Sequence, residues 1–265
     1  MTDKSLDRSQ IDAFLATLPA LSRPLIDQYF RSDFSVEQKA DDSPVTIADK
    51  SVETELRQAI LAAFPDHAII GEEQGGVADR QICWVIDPID GTRAFVIGKP
   101  LFGSLVALAH DGVPICGLID MPELDECYLT RDGNAYLRRH GREEKLATRQ
   151  TQELAQAHIA TTSPEAFTQS GWQSFQQLSA QCLSSHFGGD CYNYALLAAG
   201  YLDLVMEHQL APHDIMALVP VMTAAGAVVT DWQGAAVDLY GDGSILAAGN
   251  ADLHKKALAY LSQGL

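Results

Sequence analysis

The chain has 265 residues, 47% of them hydrophobic, and carries 18 basic against 35 acidic side chains for a formal charge of -17. This size and composition suit one large or two smaller domains with real cores. The acid is spread along the chain rather than gathered in a tail, which argues against nucleic acid and anionic membranes as partners, since both need a basic footprint.

Residues 9–30 and 46–64 repeat their apolar positions at helical spacing, and Pro65-Asp66 stops the second run. Short apolar, β-branched segments follow at 68–70, 82–86, 104–109, 115–119, 126–130 and 135–137. Asp111-Gly112, Met121-Pro122 and Asp132-Gly133 separate the later ones, as in an antiparallel meander. From about residue 146 the pattern changes. Strands at 158–161, 204–207, 227–230 and 245–248 alternate with helices at 165–180, 192–199, 215–225 and 251–261, which predicts a layered sheet with helices on its faces. One continuous domain over 1–265 is expected, with an N-terminal half to about 145 and a C-terminal half from about 146. No apolar run is long enough to span a membrane, and Met1-Thr2-Asp3-Lys4-Ser5 does not begin a secretory leader, so a soluble, cytoplasmic protein is expected. Five scattered cysteines without a C-x-x-C pair read as reduced, mostly buried thiols.

The chemistry concentrates at strand ends. The apolar run 82–86 leads into Asp87-Pro88-Ile89-Asp90-Gly91-Thr92. Pro88 has no N–H for a ladder and is expected to end the strand, freeing the Ile89 carbonyl. Asp87 and Asp90, with that carbonyl between them, make an oxygen-rich site for a hard cation. Gly91 and Thr92 open a segment whose N–H groups can meet an anion beside it. A plain polar turn is the alternative for these residues alone. Glu72 and Glu73 follow another apolar strand. Asp214 precedes a helix and Asp49 opens one, so both, like Ser43 and Thr46, also read as caps. A phosphate ligand on so acidic a chain implies a metal, because only bound cations reverse the local sign.

Gly71-Glu72-Glu73, Trp84 through Thr92, and His213-Asp214-Ile215 through Gly226-Ala227-Val228-Val229-Thr230-Asp231 together resemble the signatures of the inositol monophosphatase family, in order and spacing, over about residues 10–262. The resemblance implies a mixed α+β fold, a five-layered α-β-α-β-α sandwich. It also implies a homodimer, hydrolysis of a small-molecule phosphomonoester, and two or three Mg²⁺ ions. It suggests Glu72, Asp87 and the Ile89 carbonyl for one metal, with Asp87, Asp90 and Asp214 for a second. Gly91 and Thr92 match phosphate-binding positions, and Asp49 with Thr92 match the pair that orients the attacking water. No cysteine, histidine or Ser104 is needed as a nucleophile.

Within the family, Asp90 through Phe95, Gly189 through Tyr194, and Asp203 through Glu207 resemble the histidinol-phosphate phosphatase branch. Histidinol phosphate carries an amine and an imidazole, so its pocket should offer carboxylates. Asp190 and Glu207 are the candidates, against readings of Asp190 as a helix cap and Glu207 as a solvated strand-end charge. An inositol monophosphatase or a broad sugar and nucleotide phosphatase is the alternative. A non-catalytic interaction protein is remoter, because the carboxylate set is intact. Arg93 either steers phosphate or pairs with nearby acids. Trp84 and Phe95 read as core, and Lys39, which falls where the family resemblance places a basic residue near the active site, more ordinarily as a solvated lysine. His213 stands where the family resemblance leads one to expect an aromatic, and reads as a packing replacement rather than a metal ligand.

Overall fold

Three helical layers and two sheets alternate in the computed structural model, which describes residues 7–33, 36–38 and 44–261. Lys39 and Ser43 lie outside the described residues. The single helix expected over 9–30 is two, α1 (Arg8–Leu15) and α2 (Pro19–Tyr29), because Pro19 begins a new first turn where a missing N–H costs nothing. A short antiparallel ribbon that the sequence pattern does not announce, β1 (Val36–Gln38) with β2 (Pro44–Thr46), leads into α3 (Ile47–Ala63). Thr46 caps α3, and Asp49 returns the bond to the Thr46 N–H.

The first sheet has seven strands in sequence order: β3 (Ala68–Gly71), β4 (Ile82–Asp90), β5 (Gly103–His110), β6 (Val113–Met121), β7 (Glu126–Arg131), β8 (Asn134–Arg139) and β9 (Arg142–Lys145). Only β3 with β4 is parallel. The short helix α4 (Thr92–Val96) sits between β4 and β5. The Asp111-Gly112 and Asp132-Gly133 turns predicted from sequence have positive φ at both residues, as two-residue hairpins require. β9 was not expected; all four of its residues are exposed, so no apolar alternation marks it.

The second sheet has the order β11-β10-β12-β14-β13, built from β10 (His158–Thr161), β11 (Ser184–Phe187), β12 (Leu204–Glu207), β13 (Val228–Thr230) and β14 (Ile245–Ala248). Its helices are α5 (Gln169–Ser179), α6 (Cys191–Ala198), α7 (Pro212–Ile215), α8 (Leu218–Ala225) and α9 (Ala251–Leu261). The helix expected over 165–180 starts only at Gln169, after a 3-10 turn, and the one expected over 215–225 is the pair α7 and α8.

The layers follow from burial. Ile11, Ile26, Leu56 and Ile60 of α1–α3 share a core with Trp84, Ile86 and Val106 on one face of the seven-stranded sheet. The largest cluster lies between the sheets, where α6 and α8 bury Tyr194, Leu197, Leu218 and Val221 against Leu105, Ile119, Val205 and Ala247. Phe175 of α5 and Leu253 and Ala257 of α9 close the far face of the second sheet over Leu204 and Leu246. The result is the expected mixed α+β, five-layered α-β-α-β-α sandwich. Trp84 and Phe95 are fully buried, and the Trp84 indole donates to His67 Nδ1 at 3.0 Å, so the core absorbs its one polar atom. All five cysteines are free thiols, four of them buried.

Candidate metal and phosphate site

Pro88 does not end β4. The strand continues to Asp90, and its register against β5 shifts between Asp87, opposite Leu105, and Asp90, opposite Gly103. A proline cannot donate to the ladder, and the bulge accommodates it. Its carbonyl is taken up by the Ser104 hydroxyl at 2.6 Å. The bulge re-aims the side chains on either side of it. Asp87 is 2% exposed and accepts the Ile89 N–H at 3.0 Å. Gly91 then turns the chain at φ 84°, and a Cβ there would press on the Leu101 carbonyl and the Asp190 carboxyl, each 3.2 Å away. The Ile89 carbonyl accepts the Thr92 hydroxyl at 3.0 Å, which uses one of its two lone pairs. The same hydroxyl lies 3.4 Å from Asp49 Oδ1, while Asp49 Oδ2 is held by the N–H and hydroxyl of Thr46. Asp49 is therefore both the cap that sequence suggests and a neighbour of the site.

Glu72 reaches the cluster from the end of β3, its N–H bonded to the Ile86 carbonyl at 3.1 Å. The loop behind it is fixed by a group that sequence reading misses. Glu53 of α3, fully buried, accepts the N–H groups of Glu73 at 2.7 Å and Gln74 at 3.1 Å, and pairs with Arg57 at 2.7 Å. Arg57 in turn donates to the Gly75 carbonyl. Gly71 has to be glycine, because a Cβ there would run into the Glu53 carboxylate.

Asp214 lies within α7 rather than ahead of a helix, and one of its oxygens caps the Ala211 N–H at 2.7 Å. Oxygens of Asp87, Asp90 and Asp214 lie within 4.8 Å of one another. A second group with the same spread contains Glu72, Asp87 and a ring nitrogen of His213, so Asp87 belongs to both. His213, expected to pack, thus also lies beside two carboxylates. Burial pushes the Asp87 carboxyl well above its ordinary range, and Glu72, Asp90 and Asp214 push it further. Asp90 is raised by burial and by Asp190 and Asp214, against the Cys191 N–H that it accepts at 2.6 Å. Buried carboxylates that raise one another in this way are stabilised as anions by a cation, and an all-oxygen set of this kind suits a hard divalent ion.

Seven of the predicted residues, Glu72, Asp90, Gly91, Thr92, Asp190, Glu207 and Asp214, line one cleft of about 560 Å³. Asp87, Ile89 and Asp49 are buried beneath it. Asp190 occupies the cap position of α6 but makes no capping bond with its side chain; Asp90 takes the Cys191 N–H instead. Its backbone is held at φ 48°, a conformation that costs a non-glycine residue roughly 1–3 kcal/mol. Burial lifts its pKa to about 6 even though Lys99 and Arg93 pull it down. Glu207 is 5% exposed, which overturns the solvated reading. Its oxygens accept the Thr162 N–H at 2.6 Å and the Tyr194 hydroxyl at 2.8 Å, and burial still raises its pKa to about 7. Lys99, which sequence reading passes over because it belongs to no motif, lines the cleft with Arg93.

The model of the inositol monophosphatase family matches residues 7–265. The chain belongs to that family. It is 40% identical to the bifunctional phosphatase IMPL2, chloroplastic, of Arabidopsis thaliana over 97% of its own length and 77% of the relative's. It is 34% identical to the histidinol-phosphatase of Mycobacterium tuberculosis, over 88% of this chain and 90% of that one. Among solved structures it is similar to an inositol monophosphatase from Zymomonas mobilis, with a TM-score of 0.86, 36% identity, and coverage of 97% of this chain and 99% of the other. As a family member it is a phosphoric monoester hydrolase. Among its described residues no helix is long and apolar enough to cross a membrane.

Proposed function

We propose that this chain is a Mg²⁺-dependent phosphomonoesterase whose substrate is L-histidinol phosphate, cleaved to L-histidinol and phosphate by metal-activated water. The observation that carries the reading is the convergence of Glu72, Asp87, Asp90 and Asp214, from three separate segments, beside the Asp49–Thr92 pair. Glu72, Asp87 and the Ile89 carbonyl would hold one ion and Asp87, Asp90 and Asp214 a second, with room in the reading for a third. Bound there, Mg²⁺ would neutralise the phosphoryl oxygens and lower the pKa of a coordinated water. The protein's own part is positional. The Asp49 carboxylate and Thr92 hydroxyl orient the water and accept its proton's hydrogen bond, and the Gly91 and Thr92 N–H groups face the phosphate.

Asp190 and Glu207 supply the choice of alcohol. Both are carboxyls in the same cleft, near enough for Asp190 to raise the Glu207 pKa, and an ammonium group on the leaving alcohol would let both ionise. The several relatives named histidinol-phosphatase support this reading. A second reading, an inositol monophosphatase or a broad sugar and nucleotide phosphatase, is favoured by Lys99 and Arg93, whose charges beside Asp190 oppose an ammonium group. Phosphate release is the test, with L-histidinol phosphate, inositol 1-phosphate and 3′-phosphoadenosine 5′-phosphate in turn. Activity should vanish in EDTA and return with Mg²⁺, and histidinol phosphate should have the highest kcat/KM. Full activity in EDTA would refute the metal, and last place for histidinol phosphate the substrate. The same reading carries a cytoplasmic homodimer, which light scattering checks for its mass.

A further inference from the structure

We propose that His213 is a nitrogen ligand at the Glu72–Asp87 metal position, making that position a mixed nitrogen and oxygen site that accepts Mg²⁺ and binds first-row transition ions more tightly than an all-oxygen site would. The inference rests on the metal-dependent reading above and adds a donor to it. One ring nitrogen of His213 lies within 4.8 Å of carboxylate oxygens of both Glu72 and Asp87. Donors on opposite sides of an ion bound at about 2.0–2.2 Å lie about 4 Å apart, which is the scale of this group.

His213 and Asp214 are consecutive in α7, so one short helix delivers one donor to each cluster: the imidazole to Glu72 and Asp87, the carboxylate to Asp87 and Asp90. The helix is fixed at its start by Pro212 and by the Asp214 bond to the Ala211 N–H. The His213 side chain is 21% exposed, and its Nε2 lies 3.7 Å from Asp214 Oδ1, beyond hydrogen-bond range, so the neighbouring carboxylate does not fix the ring. The chemical consequence is selectivity. Carboxylate and carbonyl oxygens suit Mg²⁺, whereas an imidazole nitrogen adds binding energy chiefly for transition ions.

Mn²⁺ binding to the full-length protein, followed by electron paramagnetic resonance, tests this without any turnover. The bound ion should show electron spin-echo modulation from a directly coordinated ¹⁴N. His213→Phe and His213→Tyr should both abolish that modulation and lower the Mn²⁺-over-Mg²⁺ preference by about tenfold or more, since even changes one shell further out shift metal affinity by this much. Bound Mn²⁺ without ¹⁴N coupling in the native protein, or coupling that persists in either variant, would overturn the assignment while leaving the phosphatase reading intact. Failure of the native protein to bind Mn²⁺ or Mg²⁺ at all would overturn both.

Discussion

Two groups of carboxylates meet at the cleft, and they are stabilised in opposite ways. Around Asp87 the charges that matter are other carboxylates, and each raises its pKa. Around Asp190 and Glu207 the protein supplies relief of its own: Lys99 and Arg93 for the first, the Thr162 N–H and Tyr194 hydroxyl for the second. The first group would be relieved by cations, whereas the second has partners within the protein itself. On the proposed reading, a metal site and a site that chooses the alcohol are thus built from the same residue types with different neighbours.

Asp87 is where breaking this arrangement should have the largest effect, because it belongs to both ligand groups. If Asp87 bridges two ions as proposed, Asp87→Asn removes a charge both would share, and kcat should fall about 10³-fold or more, beyond the loss from a single electrostatic donor. Raising Mg²⁺ should not restore it. A fall of less than tenfold in steady-state assays would show that Asp87 does not bridge.

Glu53 sharpens the same point from behind. It touches no ligand position but holds the loop of Glu72 through two backbone N–H groups and Arg57. Glu53→Gln should weaken Mg²⁺ binding by roughly 10- to 100-fold, the usual cost of losing an outer-shell partner. Here saturating Mg²⁺ should recover most of kcat. A loss of kcat that Mg²⁺ does not rescue would mean that the loop, and not only the affinity, is misplaced.

Asp190 marks the other side of the comparison. Removing one member of a partly buried charge pair costs about 2 kcal/mol or more, so Asp190→Asn should lower kcat/KM for histidinol phosphate by about 30-fold. Turnover of inositol 1-phosphate, whose alcohol carries no charge, should change less than threefold. Equal losses on both substrates would indicate that Asp190 acts only by packing on Gly91, beside the space a Cβ there would need.

What could be read in advance follows the same division. Asp87, Asp90 and Glu72 sit at the ends of apolar strands, where a charged group breaks the pattern and its cost is visible from sequence. Glu53 was invisible because, four residues before Arg57 in α3, it looks like half of a solvated helix pair, yet it is fully buried. The β8–β9 hairpin was missed for a similar reason. Its His140-Gly141 turn has φ values of 51° and 70°, much like those of Asp111-Gly112, but histidine is not a residue that announces a turn. Helix breaks at Pro19 and between α7 and α8 went unseen because apolar spacing runs on across them. The pairing of β4 beyond Pro88 is set by Ser104 and Gly103 on the neighbouring strand, information that no local window contains.

The smallest expected effect is a slope with pH, and it comes from Glu207 in the metal-free protein. Burial raises this carboxyl from an ordinary 4.5 to about 7, against the two hydrogen bonds it accepts. Its proton is therefore held more tightly in the folded chain than in the unfolded one, so the stability this gives is complete below the unfolded value and is lost as pH rises through about 7. Between pH 5.5 and 7.5 the loss is about 2 kcal/mol, most of the range over which the folded group alone changes charge. Glu207→Gln cannot ionise, and the other buried carboxylates titrate in both proteins. Urea unfolding in EDTA should therefore show the native protein's advantage over the variant shrinking by about that amount across the window. A difference in stability that stays constant with pH would mean that Glu207 is already ionised in the folded protein at pH 5.5, and that Tyr194 and Thr162 alone suffice to hold its charge.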